Sequence, residues 1–484
     1  MANTVHTSFI RSLFFVLYKA VSELYPDARV QIDAHVSNGF YCHIAHIKNW
    51  DPKAIYQRMQ EIVDADMPFV SHTLPRPKAI KMFDAAGQHN KALLLASLDE
   101  AYTEYYTLGD TANSFYGPLI ESTGQLRPFA LEAYDAGMLL RFRGADGELL
   151  PMTPQPKMLA VFRDYHRWAH IMGLSTVGEL NHVVAKGDER TNEMVNVSEC
   201  LQERQIGRIA DHLAENPQLK VVLIAGPSSS GKTTFSKRLS IQLMACGLKP
   251  VAISLDNYFV NRVDTPLDED GHYDYESIYA MQIDLFNEQM TTLLSGGTVE
   301  LPYYNFKTGI SERSGQFLHL EEDTILILEG IHALNPLFSA QIPQENKYRV
   351  YASALTSILL DDHNYIPTTD NRLLRRLVRD YKFRGYSAEE TIRRWPAVRK
   401  GEEKWLFPYQ EEADVMINTA LLFELACLRE QALPLLEGVR NDTPEREVAD
   451  RLINLLRLIK PLPMDTLPPT SLLREFMGGS TFCY

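Results

Sequence analysis

The sequence predicts an α/β protein whose C-terminal half is a doubly wound parallel sheet, preceded by an α+β half. Three observations predict it. Residues 220–225 read KVVLIA, a short β-branched run of the kind buried on both faces of a parallel sheet. That run passes directly into GPSSSGKTT at 226–234, and helical apolar spacing resumes over 235–244. Four further apolar runs then alternate with helical stretches: PVAISLD at 250–256, TILILEG at 324–330, KYRVYAS at 347–353 and ADVMINT at 413–419.

In chain order, Ile10, Phe14, Leu17 and Val21 fall at helical spacing, with Arg11, Lys19 and Glu23 among them. Residues 9–24 therefore read as an amphipathic core helix, not a secretory signal. Residues 1–170 mix helices and short strands, carry no phosphate signature, and are punctuated by RGADGELLPMTPQPK at 143–157. A polar segment, AKGDERTNEMVN, precedes a helix expected over 199–215 with Leu201, Ile206, Ile209 and Leu213 on its apolar face. Thr443-Pro444 starts a last helix faced by Val448, Leu452, Leu455, Leu456 and Ile459, and a proline-rich tail follows. These boundaries divide the chain into 1–190, 199–440 and 441–484.

A chain of 484 residues exceeds one ordinary core. Its 45% hydrophobic and 23% charged residues are those of a globular protein. A net charge of −14 opposes a nucleic-acid-coating or membrane-surface role, because both partners are acidic. Cys42, Cys200, Cys246, Cys427 and Cys483 are scattered without a C-x-x-C pair, which points to a reducing compartment. No apolar run reaches the length of a membrane span. The expected address is cytoplasmic.

The candidate chemistry begins at the G-x-x-x-x-G-K-[ST] loop. Gly226, Pro227, Ser228, Ser229, Ser230, Gly231, Lys232, Thr233 and Thr234 follow a strand and open a helix, the context that makes the pattern a phosphate cradle rather than a plain turn. Backbone N–H groups and the helix N-terminus face the phosphates, Lys232 reaches the β and γ groups, and the Thr233 hydroxyl ligates Mg²⁺. Asp256 ends the second run, where ligands gather in such sheets, and is placed to accept the proton of an attacking hydroxyl. The plainer reading is an Asp that caps the next turn with Asn257. Glu329 ends TILILEG and can hold Mg²⁺, against the plainer reading of a polar strand end before Gly330. Arg372, Arg375, Arg376 and Arg379 share one helical face. Their mutual repulsion asks for an anion, either a transferring phosphoryl group or acids such as Asp370 and Asp380.

Together with HYDYES, LPYYNF, ILEGIHAL, NRLLRRLVRD and EEADVMIN, the GPSSSGKTT and SLDNYF motifs carry a resemblance. Residues 221–436 resemble the uridine kinase and phosphoribulokinase family of P-loop small-molecule kinases. The resemblance implies ATP and Mg²⁺ as cofactors and transfer of a phosphoryl group to a nucleoside 5′-hydroxyl. It implies Asp256 as the base, Glu329 assisting the metal, Asp274 on the ribose hydroxyls, Tyr273 against the base and Tyr304 lining its pocket. Arg372 and Arg375 would clamp ribose and phosphates from a lid. Two positions depart from the family: Gly309 stands where uridine–cytidine kinases carry a base-reading histidine, and Phe259 where a Tyr is frequent.

Residues 10–170, through ELYPDARVQIDAHVSNGFYCHI, IYQRMQEIVDADMPF and KAIKMFDAAGQ, resemble the second additional (editing) domain of threonyl-tRNA synthetases. That domain uses H-x-x-x-H and C-x-x-x-H pairs. Here the matching helix offers Arg11 and Phe15, and the later segment reads Phe115-Tyr116-Gly117-Pro118-Leu119, so editing activity is expected to be absent. Cys42 and His46 have a ligand-like spacing but fall on an expected strand, where buried core side chains are the default.

The leading expectation is a nucleoside kinase of uridine type. The alternatives are the same transfer to a sugar phosphate or polyol, or a nucleotide-sensing regulator that grips tRNA or other RNA. A GTP switch is disfavoured because no N-K-x-D follows the loop. The expected partner is a nucleoside or similar small alcohol; membrane and nucleic acid are not expected, and self-association into a homo-oligomer is left open.

Overall fold

The computed structural model describes residues 2–144, 146–269 and 271–484; Met1, Asp270 and Ala145, the last within the stretch 143–157, lie outside the described residues. The chain forms two compact units, each assembled from three stretches. The first comprises Met1–Asn192, Thr356–Pro367 and Arg451–Leu462, and the second Glu193–Leu355, Thr368–Asp450 and Pro463–Tyr484. The sequence suggested three consecutive segments, whereas the structure has two units: Thr356–Pro367 belongs with the first, and residues 441–484 form no unit of their own, Arg451–Leu462 going to the first unit and the rest to the second.

The first unit holds strands β1 (Arg29–Val36), β2 (Gly39–Ala45), β3 (Val70–Pro75), β4 (Tyr102–Leu108), β5 (Thr111–Asn113), β6 (Phe129–Tyr134) and β7 (Gly137–Phe142). They form an antiparallel sheet of order β1-β2-β7-β6 and a smaller sheet β3-β4-β5. The N-terminal helix Ala2–Leu24 begins earlier than the apolar spacing suggested. Its Phe9, Phe14, Leu17 and Val21 pack with Phe40, Cys42 and Leu140 into one core. Residues Thr356–Pro367 are tied in by charge. Lys91 and Asp361 are each 1% exposed and pair at 2.8 Å, while Arg29 meets Asp362 at 2.6 Å. The Lys91 ammonium also donates to the Ser114 carbonyl at 2.9 Å, and Asn364 donates to Asp361 at 2.9 Å. Burial works to raise the Asp361 carboxyl, but Lys91 and its hydrogen bonds hold it below its ordinary value.

The second unit carries β8 (Val221–Ala225), β9 (Lys249–Ser254), β10 (Thr298–Asn305), β11 (Ile310–His319), β12 (Thr324–Glu329), β13 (Lys347–Ser353) and β14 (Val415–Asn418). Five of them form an all-parallel sheet of order β14-β13-β8-β12-β9, and β10–β11 is an antiparallel hairpin. All five apolar runs recognised in the sequence are strands of this sheet. β8 lies between two neighbours and every residue of it is buried, as its uninterrupted apolar sequence requires. Val222, Ile224, Ile325, Ile327 and Val350 pack against Phe235, Leu239 and Leu243 of the following helix and against Ile206, Ile209 and Leu213. The helix bearing these last three runs Asp188–Glu215, starting before residue 199 because buried Met194 and Val195 extend its apolar stripe backward.

Asp361→Ala leaves the buried Lys91 ammonium without a counter-charge and should lower unfolding stability by about 3–5 kcal/mol. A Lys91→Met/Asp361→Leu double variant should lose much less. Urea denaturation followed by circular dichroism checks both.

Candidate active site

Between β8 and the helix Lys232–Ala245, residues 226–231 form the loop, turned by Ser229 at φ 58° and Gly231 at φ 82°. Gly226 is required by crowding: a side chain there would run into the Ala352 carbonyl on β13. Lys232 reaches back across the loop and donates to the Pro227 carbonyl at 3.2 Å. The Thr233 hydroxyl donates to Glu329 Oε1 at 3.2 Å. The two groups expected to hold a metal are therefore adjacent, and paired hard oxygens of this kind fit Mg²⁺. Desolvation pushes the Glu329 carboxyl up to about 7; Lys232 opposes the rise, and Asp256 and Glu475 add to it.

β9 ends at Ser254, and Asp256 sits in the 3₁₀ turn Leu255–Tyr258 that follows. Ser254 Oγ takes the Asp256 N–H at 3.3 Å, so Ser254 and not Asp256 caps that turn. The Asp256 carboxylate makes no hydrogen bond among the described residues and keeps surface open to water. Desolvation by the surrounding protein still raises its carboxyl, held back in turn by Lys232, Arg384 and Arg379. Lys232 acts on both carboxyls, and Asp256 on Glu329, so the three lie within reach of one another's charge.

The arginine face differs from expectation. Arg372 is 1% and Arg375 0% exposed. Arg372 donates to the Ser228 carbonyl at 3.0 Å and pairs with Glu402. Arg375 bonds the Thr419 carbonyl at 2.9 Å and Glu424 at 2.5 Å. Both grip the backbone side of the phosphate loop and are already neutralised by this chain's own carboxylates, so they are not presented to a ligand as a lid. Arg376 donates to Ser228 Oγ at 2.6 Å and meets Asp380 at 3.2 Å; Arg379 meets Asp380 at 2.7 Å. The pairing with Asp380 is the plainer of the two sequence readings. The arginines that act on Asp256, beside Lys232, are Arg379 and Arg384.

Of the acceptor residues, Tyr304 on β10 is buried and packs with Phe259 at 5.4 Å and Phe306 at 5.0 Å. Tyr273 is exposed beside Tyr275, and Asp274 takes the Glu276 N–H at 3.2 Å, so both make their contacts within their own loop. At Gly309, φ 73°, an added side chain would meet Arg262 Nε at 2.7 Å, so the Arg262 guanidinium fills the space a residue there would use. Sequence reasoning missed Arg384, which lies off the arginine face. It also missed Glu276, raised to about 7 by desolvation with Glu402 and Asp256 adding, and the carboxylates Glu402 and Glu475, which contact the loop. HYDYES contains Glu276, but nothing in its spacing separates it from a surface acid.

In the first unit, the positions matched to editing ligands are packed together. Phe15 and Phe115 pack with ring centroids 5.6 Å apart, tilted by 48°, Leu119 joins the same core, and the Arg11 guanidinium fills the space beside Gly117. Cys42 is buried on β2 with its thiol pushed up by burial, and His46 lies just past that strand.

Residues 221–422 match the Phosphoribulokinase / Uridine kinase family. A uridine kinase of Halobacterium salinarum is 29% identical over 196 residues, 40% of this chain and 77% of that relative. One of Bacillus pumilus is 31% identical over 199 residues, 41% of this chain and 85% of its own. A threonine–tRNA ligase of Aromatoleum aromaticum is 36% identical over 120 residues, 24% of this chain and 19% of the ligase, so the chain spans about a fifth of that relative. Among the described residues no helix is long and apolar enough to cross a membrane.

Glu276 and Glu329 keep their protons up to about pH 7 in the folded chain, against an ordinary value of 4.5. Their contribution to stability is full below pH 4.5 and is lost as pH rises through 7. Glu329→Gln removes a carboxylate that must ionise in this site, so its melting temperature should exceed the wild type's by a few degrees at about pH 8, with the gap closing near pH 5. Thermal melts at both pH values decide it, and an equal gap at both refutes the assignment.

Proposed function

The chain belongs to the phosphoribulokinase/uridine kinase family, and from that premise we propose that it transfers the γ-phosphoryl group of ATP to the 5′-hydroxyl of a uridine- or cytidine-like nucleoside. The convergence of Lys232, Thr233, Asp256 and Glu329 at the carboxyl ends of β8, β9 and β12 carries this reading. The loop N–H groups and Lys232 hold the phosphates. Thr233 and Glu329 would hold Mg²⁺, which when bound neutralises charge on the transferring group. Asp256 accepts the hydroxyl proton as the alcohol oxygen forms its bond to phosphorus and ADP leaves. Its raised carboxyl makes it a stronger base than an ordinary Asp. Arg379 and Arg384, on the flank of Asp256, stabilise the charge that develops. Arg372 and Arg375 act at one remove, by fixing the loop backbone. Tyr273, Asp274 and Tyr304 are assigned to the nucleoside.

A second reading, transfer to a sugar phosphate, is favoured by one observation: the guanidinium of Arg262 beside Gly309. A cation there suits an acceptor with anionic or carbonyl oxygens. A radiolabelled-ATP screen over nucleosides, sugars and sugar phosphates separates the two. Phosphate accepted by a sugar phosphate while every nucleoside fails would replace the first reading by the second.

With the accepted substrate, Asp256→Asn should lower kcat by about 10²–10⁴-fold and leave ATP affinity within a few-fold of wild type. A comparable loss of ATP binding would contradict the role of base.

A further inference from the structure

The stretch Pro463–Tyr484 lies outside the residues matched to the family, yet belongs to the unit that holds the phosphate loop. Glu475 Oε2 accepts both the Thr234 N–H at 3.0 Å and the Thr234 hydroxyl at 2.6 Å; the Tyr484 hydroxyl joins the latter at 2.8 Å. Thr234 N–H is a first-turn donor with no partner inside its own helix, one of the groups that such a loop turns toward phosphates. We propose that Glu475 is a donor-site residue that sets nucleotide affinity, its carboxylate competing with the donor's phosphates for Thr234. This rests on the nucleotide reading of the loop given above.

The segment is firmly seated. Leu472, Leu473, Phe476 and Met477 are at most 2% exposed. Leu472 fills the space beside Gly231, Phe476 lies 5.1 Å from the Arg375 guanidinium, and Lys382 donates to the Met477 carbonyl. The backbone can therefore stay in place while the Glu475 side chain, with three rotatable bonds, swings away.

Glu402 provides the contrast. It takes the Ser228 N–H at 2.7 Å but is neutralised by Arg372 and by Arg399, the latter at 3.0 Å. Glu475 has no ion pair among the described residues, and its charge is felt at Glu329. An arriving triphosphate meets an uncompensated negative charge on a donor it needs, and that repulsion subtracts from its binding.

The test is calorimetric titration of ATP with Mg²⁺ into the full chain without acceptor, for wild type, Glu475→Gln and Glu475→Ala. Tightening of about tenfold in Kd for both variants, the worth of one charge-assisted hydrogen bond, supports the proposal. Loss of folding cannot tighten binding, so that readout separates competition from a structural role. Unchanged or weaker binding in both variants overturns it. If neither wild type nor variant binds ATP, the nucleotide reading itself fails, and the inference falls with it.

Discussion

The register of β12 against its two neighbours decides where every charged group of the site falls. Glu329 pairs with Ile224 of β8 on one side and with Ser254 of β9 on the other. The phosphate loop starts two residues beyond Ile224, and Asp256 lies two residues beyond Ser254, so all three strands deliver their polar groups at one level. A slip of a single residue would turn Glu329 to the opposite face and break its contact with Thr233. That register is secured by burial: β8 is apolar throughout and β12 nearly so, and any slip would carry its terminal carboxylate into that packing.

Acids crowd the site, and the arginines divide into two sets according to what they do about it. Glu402 and Glu424 are almost fully buried and paired with Arg372 and Arg375, which in turn hold the carbonyls of Ser228, Ser229 and Thr419. Buried pairs of this type add little net stability, but removing one member leaves an uncompensated charge. Their effect here is positional: the loop cannot shift without breaking them. The remaining charge sits around Asp256, where Lys232, Arg379 and Arg384 only partly offset desolvation. The outcome is a carboxylate held above its ordinary value beside three cations.

Much of this was legible in sequence, for a physical reason. A strand buried on both faces must be apolar throughout, and a phosphate loop needs its glycines and lysine at fixed spacing, so both leave local signatures. The arginine face was equally visible, because helical spacing is local. What that face touches was not. Arg375 finds Glu424 49 residues away, Ser228 finds Glu402 174 away, and Thr234 finds Glu475 241 away. No local pattern marks such partners, so Arg372 and Arg375 read as ligand-facing, whereas here they contact this chain's own carbonyls and carboxylates. The same limit hid the stretch Thr356–Pro367. Its Asp361, Asp362, His363 and Asn364 look like a solvated loop, yet all are buried, because Lys91 and Arg29 satisfy the acids.

The acceptor side of the site is where local sequence and packing disagree most usefully. The turn of the β10–β11 hairpin needs a residue at positive φ, and Gly309 supplies it. The same glycine leaves room for Arg262, whose Nη2 donates to the Phe306 carbonyl at 2.8 Å and whose backbone N–H bonds the Gly309 carbonyl at 2.7 Å. A guanidinium held this way is fixed by the hairpin itself. Next to it, Phe259, Tyr304 and Phe306 form an aromatic cluster suited to a flat or apolar surface. A planar heterocycle with carbonyl oxygens satisfies both the rings and the cation, whereas an aliphatic polyol would use neither. A sugar phosphate would use the cation alone. On the reading proposed above, the aromatic cluster of Phe259, Tyr304 and Phe306 is what favours a nucleoside over the other alcohols.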